Sequence, residues 1–493
     1  MKWLLGIAAV LVLLAAAGGA VVWWQLRPLP PLAPATDEFA LIDVTVINPH
    51  QSRADHQVVL VGDGEIRKIT NVIDAAGDLR VEDYRRHYVL PGLIDLHTHL
   101  PPATALHLTD HSLLLYLAFG VTAIREVGDV DGSGVEAARR AQAQLYPSPR
   151  VFACGPFVAG GPPRWANTVV LDGPQAADGI VQGLKARLFD CIKSYDDLDA
   201  REIVALVDAA RNSGLPVLGH IPVAVAYEDA LVPEVQHLHG VVPADRLNPQ
   251  DAMTRLLDWE SVDDARIDAF VRSTVERGIA HTPTLVTNQQ LLRYADYAAA
   301  RREPFALLLP RLYRDIVWSP SEGLSTAKRM VDPSNLAKLR AAFEKKKEVV
   351  RRLHAAGAQL LLGTDVLQPL VAPGISLHQE MRLMAECGIP LGRLWAMATW
   401  QAADILRQPD LARIRVGAPA DMLIFRQDPT EDLAALDSLV AVVSHGRLYR
   451  REQLDAAIAA YRRHFEDWIF DQVSVTATRS MLARASDPAA HRH

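Results

Sequence analysis

Cysteine is scarce in this chain of 493 residues, which holds only Cys154, Cys191 and Cys387. No Cys-x-x-Cys spacing occurs, which excludes thiolate zinc sites of the zinc-ribbon kind. An odd, sparse set also argues against a disulfide framework. A basic excess is lacking too. The formal net charge is −7, so no basic patch of the sort nucleic acid requires is expected, and no nucleic-acid partner. No Gly-x-Gly-x-x-Gly turn follows a first strand, which weakens a doubly wound, dinucleotide-binding sheet. Fixed-period repeats are missing as well. What remains is 49% hydrophobic and 22% charged, an ordinary globular balance. The length suffices for a full α/β barrel plus an accessory domain.

The N-terminus has its own character. From Trp3 to Trp24 the run WLLGIAAVLVLLAAAGGAVVWW carries no charge. As a helix it would measure about 33 Å, enough to cross the hydrocarbon core. Trp23 and Trp24 stand where an interfacial aromatic anchor belongs. Residues 1–26 are therefore expected to be a single transmembrane anchor, with the catalytic part extracytoplasmic. The rival is a signal peptide cleaved near the small residues Ala15 to Ala20, giving a secreted protein. The proline-rich stretch 27–36 reads as a semi-rigid spacer.

Beyond it, ALIDVTVINP and QVVLVGDGEIRKI are short β-type runs broken by turn residues. ADMLIFR and LVAVVSHGRLY near the other end are similar. Residues 37–88 and 411–450 are expected to form one composite β-domain, a small sandwich. Between them, strand-like runs alternate with helical spacing over 89–410. That alternation, with about eight strands, points to a (β/α)8 TIM barrel, with an open doubly wound sheet as runner-up. Gln289 to Lys345 is a helical excursion, a lid or wall of the site. Lys345 to Lys347 reads as a solvated helix face. Residues 451–493 are expected to be a helical extension with a flexible tail.

The chemistry sits at strand ends. In a barrel the C-terminal ends of the strands face the active site. The first strand ends Ile94-Asp95-Leu96-His97-Thr98-His99, and residues two apart on a strand point to one side. His97 and His99 can thus grip one ion together. Later strands end at Lys193, His220, His237 and Asp365. Imidazole and carboxylate suit zinc and similar divalent ions. His281, Tyr195 and Arg125 are weaker candidates, for pocket lining or for packing. Asp196, Asp197 and Asp199 are expected to cap and start the next helix.

VLPGLIDLHTHL, GVTAIREVGD, PRVFACGPFVAGG, DCIKSYDDL, GLPVLGHIP, VQHLHG, AGAQLLLGTDV, ATWQAADIL and VGAPADMLIFRQDP together resemble the amidohydrolase superfamily, in its imidazolonepropionase-like and Xaa-Pro dipeptidase-like branch. The resemblance covers roughly residues 38 to 450. It implies two divalent metal ions, zinc first among them. His97, His99 and Asp365 would bind one, His220 and His237 the other. Lys193 would carry a CO2-derived carbamate bridging both. Asp365 would be the catalytic proton carrier, working beside metal-activated water. The family's usual Glu-His favours His237 over His239, although here the pair is Gln236-His237. Relatives often have a histidine after Gly160-Gly161, where this chain has Pro162-Pro163, so the substrate is left open.

The leading expectation is a hydrolase cleaving a C–N bond in a small molecule, such as a dipeptide or N-acyl amino acid. One alternative is a mononuclear cyclic-amidine hydrolase or deaminase. Another is a catalytically silent binding protein on the same fold. A homo-oligomer is compatible with either, since nothing in the sequence sets the oligomeric state.

Overall fold

The computed structural model describes residues 2–485 apart from 28, 50, 73–75, 78, 104–105, 129, 144–146, 164, 249–250, 252 and 324. The expected flexible tail from 486 onward lies outside the described residues.

Two strand systems organise this mixed α/β protein. The first is a sheet of eight strands drawn from both ends of the chain. Tyr88–Pro91 is its seam. It pairs antiparallel with Met422–Phe425, Leu90 facing Leu423, and parallel with Phe39–Val46. These strands therefore join edge to edge in one hydrogen-bonded sheet.

The second system is parallel. Leu93–Thr98, Val121–Glu126 and Arg150–Ala153 form one sheet, and Phe157–Ala159, Ile192–Ser194, Val217–Gly219, Glu234–Gln236, Ala280–Thr282 and Gln359–Leu360 run through another. Backbone hydrogen bonds join the two. Asp190 N donates to Ala153 O at 2.8 Å, and Leu96 N to Leu362 O at 3.1 Å. Thr98 also bridges Val366 in parallel. The result is a closed ring of parallel strands, several of them followed by helices such as Ala177–Ala186, Ala200–Ser213 and Asp264–Arg277. Helix Ala200–Ser213 illustrates how those connections are specified locally. Asp199 and Glu202 form a capping box at its start, and Gly214 ends it at φ 71°. Its Ile203, Leu206, Val207 and Ala210 are buried against the ring.

The uncharged N-terminal run is helical over Lys2–Gln25. Among the described residues, however, no helix is long and apolar enough to cross a membrane. This overturns the transmembrane anchor and the membrane localisation expected from it. Ala15 to Ala20 are all alanine or glycine, which bring little apolar surface to a span. Nor does a free spacer follow. Leu26, Leu29 and Leu32 pack against the main core, and Ala35 N donates to Leu448 O at 2.7 Å.

Two further differences have clear causes. Lys346 is buried, its Nζ donating to Asn288 Oδ1 at 2.9 Å, and Lys345 donates to the Trp259 and Val262 carbonyls. The lysine run thus docks helix Pro333–Ala355 onto its neighbours and is not a solvated face. Cys154 and Cys191 form a disulfide. They are 37 residues apart, and only the adjacency of the third and fourth ring strands brings them together. Closing a loop of that length stabilises by about 3–4 kcal/mol in the chain-entropy account. Replacing both with alanine is expected to lower the denaturant midpoint by a corresponding amount, measured by urea unfolding under non-reducing conditions.

Candidate metal centre

Every candidate ligand leaves its strand at the same rim. His97 lies within Leu93–Thr98, and His99 follows it. Lys193 is the middle residue of Ile192–Ser194. His220 and His237 come directly after Val217–Gly219 and Glu234–Gln236. Asp365 stands on the loop after Gln359–Leu360 and is tied to the first strand, its N donating to His97 O at 2.8 Å. Asp95 strengthens that tie. Its carboxyl accepts from Thr364 Oγ1 at 2.6 Å and from the backbone N of Thr364 and His97 at 3.2 Å. Burial pushes Asp95 up to about 7. Gly363 permits the close approach, because a Cβ there would lie 2.5 Å from His97 Cβ.

Asp365 is the hub. Its Oδ1 lies 3.1 Å from His99 Nε2 and 3.4 Å from His97 Nε2, and its Oδ2 3.9 Å from His237 Nδ1. Burial would push this carboxyl up, but His237, His97 and His99 outweigh it and hold the group well below the usual carboxylate range. Asp365 (φ 60°) and His237 (φ 59°) both sit in the left-handed region, backbone strain of the kind found at functional sites. His97, His99 and Asp365 offer ligand atoms all within 4.8 Å of one another.

The ring nitrogens test whether a cation fits. His99 Nδ1 lies 2.5 Å from the Gly128 carbonyl, which can only accept, so Nδ1 carries the proton. Nε2 then faces the Asp365 carboxylate at 3.1 Å, and a cation between the two would be held by both. Burial pulls His97 down to about 4, so it is neutral and adds a second imidazole donor. These residues fit a divalent ion.

A second cluster adjoins the first. The His220 ring lies 5.1 Å from His237 and 4.4 Å from His239. Burial holds all three well below the usual imidazole value. His220 Nδ1 is 2.6 Å from Asp196 Oδ1, which also takes the Arg255 guanidinium at 2.9 Å. Arg255 donates to His239 Nδ1 at 2.7 Å as well. Asp196 is thus not a helix cap but the partner that orients His220. Asp199 alone does the capping. His237 and His239 follow a strand as anticipated, yet the chain turns there, with Leu238 at φ 58°. His237 faces His97 at 4.6 Å between ring centroids, while His239 is turned to Arg255. Lys193 is 1% exposed, and its Nζ has no hydrogen-bond partner. Burial lowers it to about 8, against the pull of Asp365 and Asp196.

The weaker candidates separate cleanly. Tyr195 stacks on His220 at 4.7 Å and accepts from Trp165 Nε1 at 3.2 Å, forming with Phe157 an aromatic wall. His281 is buried away from the cluster, with Nε2 3.0 Å from the Tyr227 hydroxyl. Arg125 is an inner strut paired with Glu234. Beside His237 and His239 lies a small pocket lined by Ile221, Val225, Leu238, Arg255 and Trp259 among others. Asp196, Arg255 and Gln236 were missed in the sequence. A carboxylate three residues past Lys193 was the one signal available.

Residues 88–449 match the family model described as Amidohydrolase family. The chain belongs to the amidohydrolase family. It is a metal-dependent hydrolase acting on carbon–nitrogen bonds, of a family that typically binds divalent metals. Among solved structures, it is similar to a bottromycin amidohydrolase at 24% identity and TM-score 0.69, covering 91% of this chain and 93% of that one. It is also similar to a putative prolidase from Bifidobacterium longum at 21% identity and TM-score 0.62, with 88% and 100% covered. A Xaa-Pro dipeptidase with bound methionine matches at 20% identity and TM-score 0.60, over 84% and 100%. These structural likenesses show that the chain shares the fold of these amidohydrolases over most of its length. No curated protein matches in sequence.

Proposed function

We propose that this amidohydrolase cleaves an amide or peptide-like bond of a small molecule at a two-ion centre. His97, His99 and Asp365 would hold one ion and His220 and His237 the other, and Lys193, once carboxylated, would supply an anionic ligand to the centre. The observation that carries this reading is the orphaned Lys193 Nζ, buried among both clusters with no hydrogen-bond partner. An ammonium has no place between two divalent cations. A neutral amine does react with CO2, forming a C–N bond and releasing one proton, and so becomes an anion. Burial, by lowering Lys193 to about 8, supplies the neutral amine near physiological pH.

Bound divalent ions would supply activated water near neutral pH and polarise the scissile carbonyl. The chain's residues do the rest. Asp365, kept ionised by the surrounding imidazoles, accepts the proton of the attacking water and passes it to the leaving nitrogen. The Arg255–Asp196 pair holds the His220 ring in place. The aromatic wall of Phe157, Trp165 and Tyr195 shields one flank from water, and the small pocket past His237 adjoins the other. Its apolar lining and the prolidase-type likenesses favour a dipeptide or N-acyl amino acid as substrate.

Metal analysis of the purified full-length chain tests the reading. About two zinc-like ions per chain are expected. One ion would favour the mononuclear alternative, with Lys193 unmodified. None, after metal and bicarbonate are supplied, would overturn the proposal.

A further inference from the structure

Behind His97 lies a buried polar chain built from Arg125, Glu234 and Gln236. Arg125, 3% exposed, donates from Nη1 to Glu234 Oε2 at 2.9 Å and from Nη2 to Oε1, while its Nε holds Leu96 O at 2.8 Å. Glu234 Oε1 also accepts from Gln236 Nε2 at 2.8 Å and from Thr282 Oγ1 at 3.3 Å. Gln236, fully buried, turns its other amide atom, Oε1, to His97 Nδ1. The polarity of this chain is determined throughout. Beside a guanidinium Glu234 is an anion and can only accept, so the Gln236 NH2 must face it. The amide oxygen then faces His97, and Nδ1 must be the donor.

We infer that Arg125, Glu234 and Gln236 form a positioning relay that fixes the ring tautomer of His97, so that a lone pair and not an N–H projects from Nε2 toward Asp365. The inference rests on the two-ion reading only for its consequence, since the tautomer exists without metal. The relay explains why a charged pair is buried at this depth. Arg125 orients Glu234, Glu234 orients an amide dipole, and the dipole selects one of two imidazole tautomers. Without the relay, His97 would be free to place its proton on Nε2, where the carboxylate of Asp365 would accept it 3.4 Å away. That arrangement closes the position a cation needs.

The test compares Gln236→Leu with Gln236→Glu in the full chain. The leucine keeps the volume but removes the acceptor. The introduced carboxylic acid, protonated, can donate to Glu234 and turn its carbonyl to His97. Nitrogen-15 spectra of ring-labelled histidine in metal-free protein, assigned through His97→Asn, should show the Nδ1–H tautomer of His97 in wild type and in Q236E. In Q236L the Nε2–H form should appear. Zinc affinity, by chelator competition, should fall about 10–100-fold in Q236L and about 3-fold at most in Q236E, because that variant keeps the acceptor. An unchanged tautomer in Q236L would overturn the relay. So would zinc binding weaker in Q236E than in Q236L, the order expected if Gln236 only packs. Should Q236L fail to fold, Glu234→Gln serves, since it frees the Gln236 amide to rotate and should also mix the tautomers. If wild type takes up no zinc, the two-ion reading fails while the spectra still decide the relay.

Discussion

Replacing Lys193 with alanine is expected to remove one of the two ions and to lower kcat/KM by about 10³-fold, some 4 kcal/mol of transition-state stabilisation. The effect is large because the lysine has no other role in the fold. Its Nζ makes no hydrogen bond, and the side chain is enclosed. Metal analysis should show the loss of an ion, and a short carboxylic acid such as acetate or propionate should restore part of the activity by filling the space left by the bridge. Stability provides an independent check. In the metal-free protein Lys193 titrates at about 8 against an ordinary value of 10.5, chiefly through burial. Between those values the unfolded chain holds the proton and the folded chain does not, so stability rises with pH across that window. K193A should abolish that rise. Full activity with two ions retained in K193A would exclude a bridging carbamate.

Asp365→Asn is expected to lower kcat by about 10²–10⁴-fold, the range for removing a positioned proton carrier. The substitution preserves shape and adds no backbone strain, since asparagine tolerates the left-handed conformation at φ 60°. What it removes is charge. The carboxylate sits 3.1 Å from His99 and 3.4 Å from His97 and is held well below the usual carboxylate range despite its burial. An amide neither accepts a proton nor offsets a cation. The acidic limb of the pH–rate profile should therefore disappear, with the near-ultraviolet circular dichroism unchanged. A D365N enzyme with an intact acidic limb would assign proton transfer to another group.

The candidate ligand pattern was legible in the chain because it follows local rules. His97 and His99 share a strand face through the two-residue repeat. Lys193 and His220 each lie at or directly after a short buried strand. The motifs from VLPGLIDLHTHL to VGAPADMLIFRQDP led to the family, and with it to a C–N hydrolase. The uncharged N-terminal run misled in the other direction. Its length and lack of charge suggested a span, but no described helix is apolar and long enough to cross a membrane, and Leu26, Leu29 and Leu32 in the stretch that follows pack against the core.

The sequence by itself determined the family and the residue types available for metal chemistry, because strand-end spacing is a property of a few consecutive residues. Tertiary structure alone decided the groups that orient them. Gln236 reaches His97 across 139 residues, Arg125 reaches Glu234 across 109, and Thr364 reaches Asp95 across 269. The Cys154–Cys191 pairing and the opposed settings of His237 and His239 are of the same kind. Such partners meet only because the ring strands are parallel neighbours that the connections bring side by side. No local period records which strand will stand beside which.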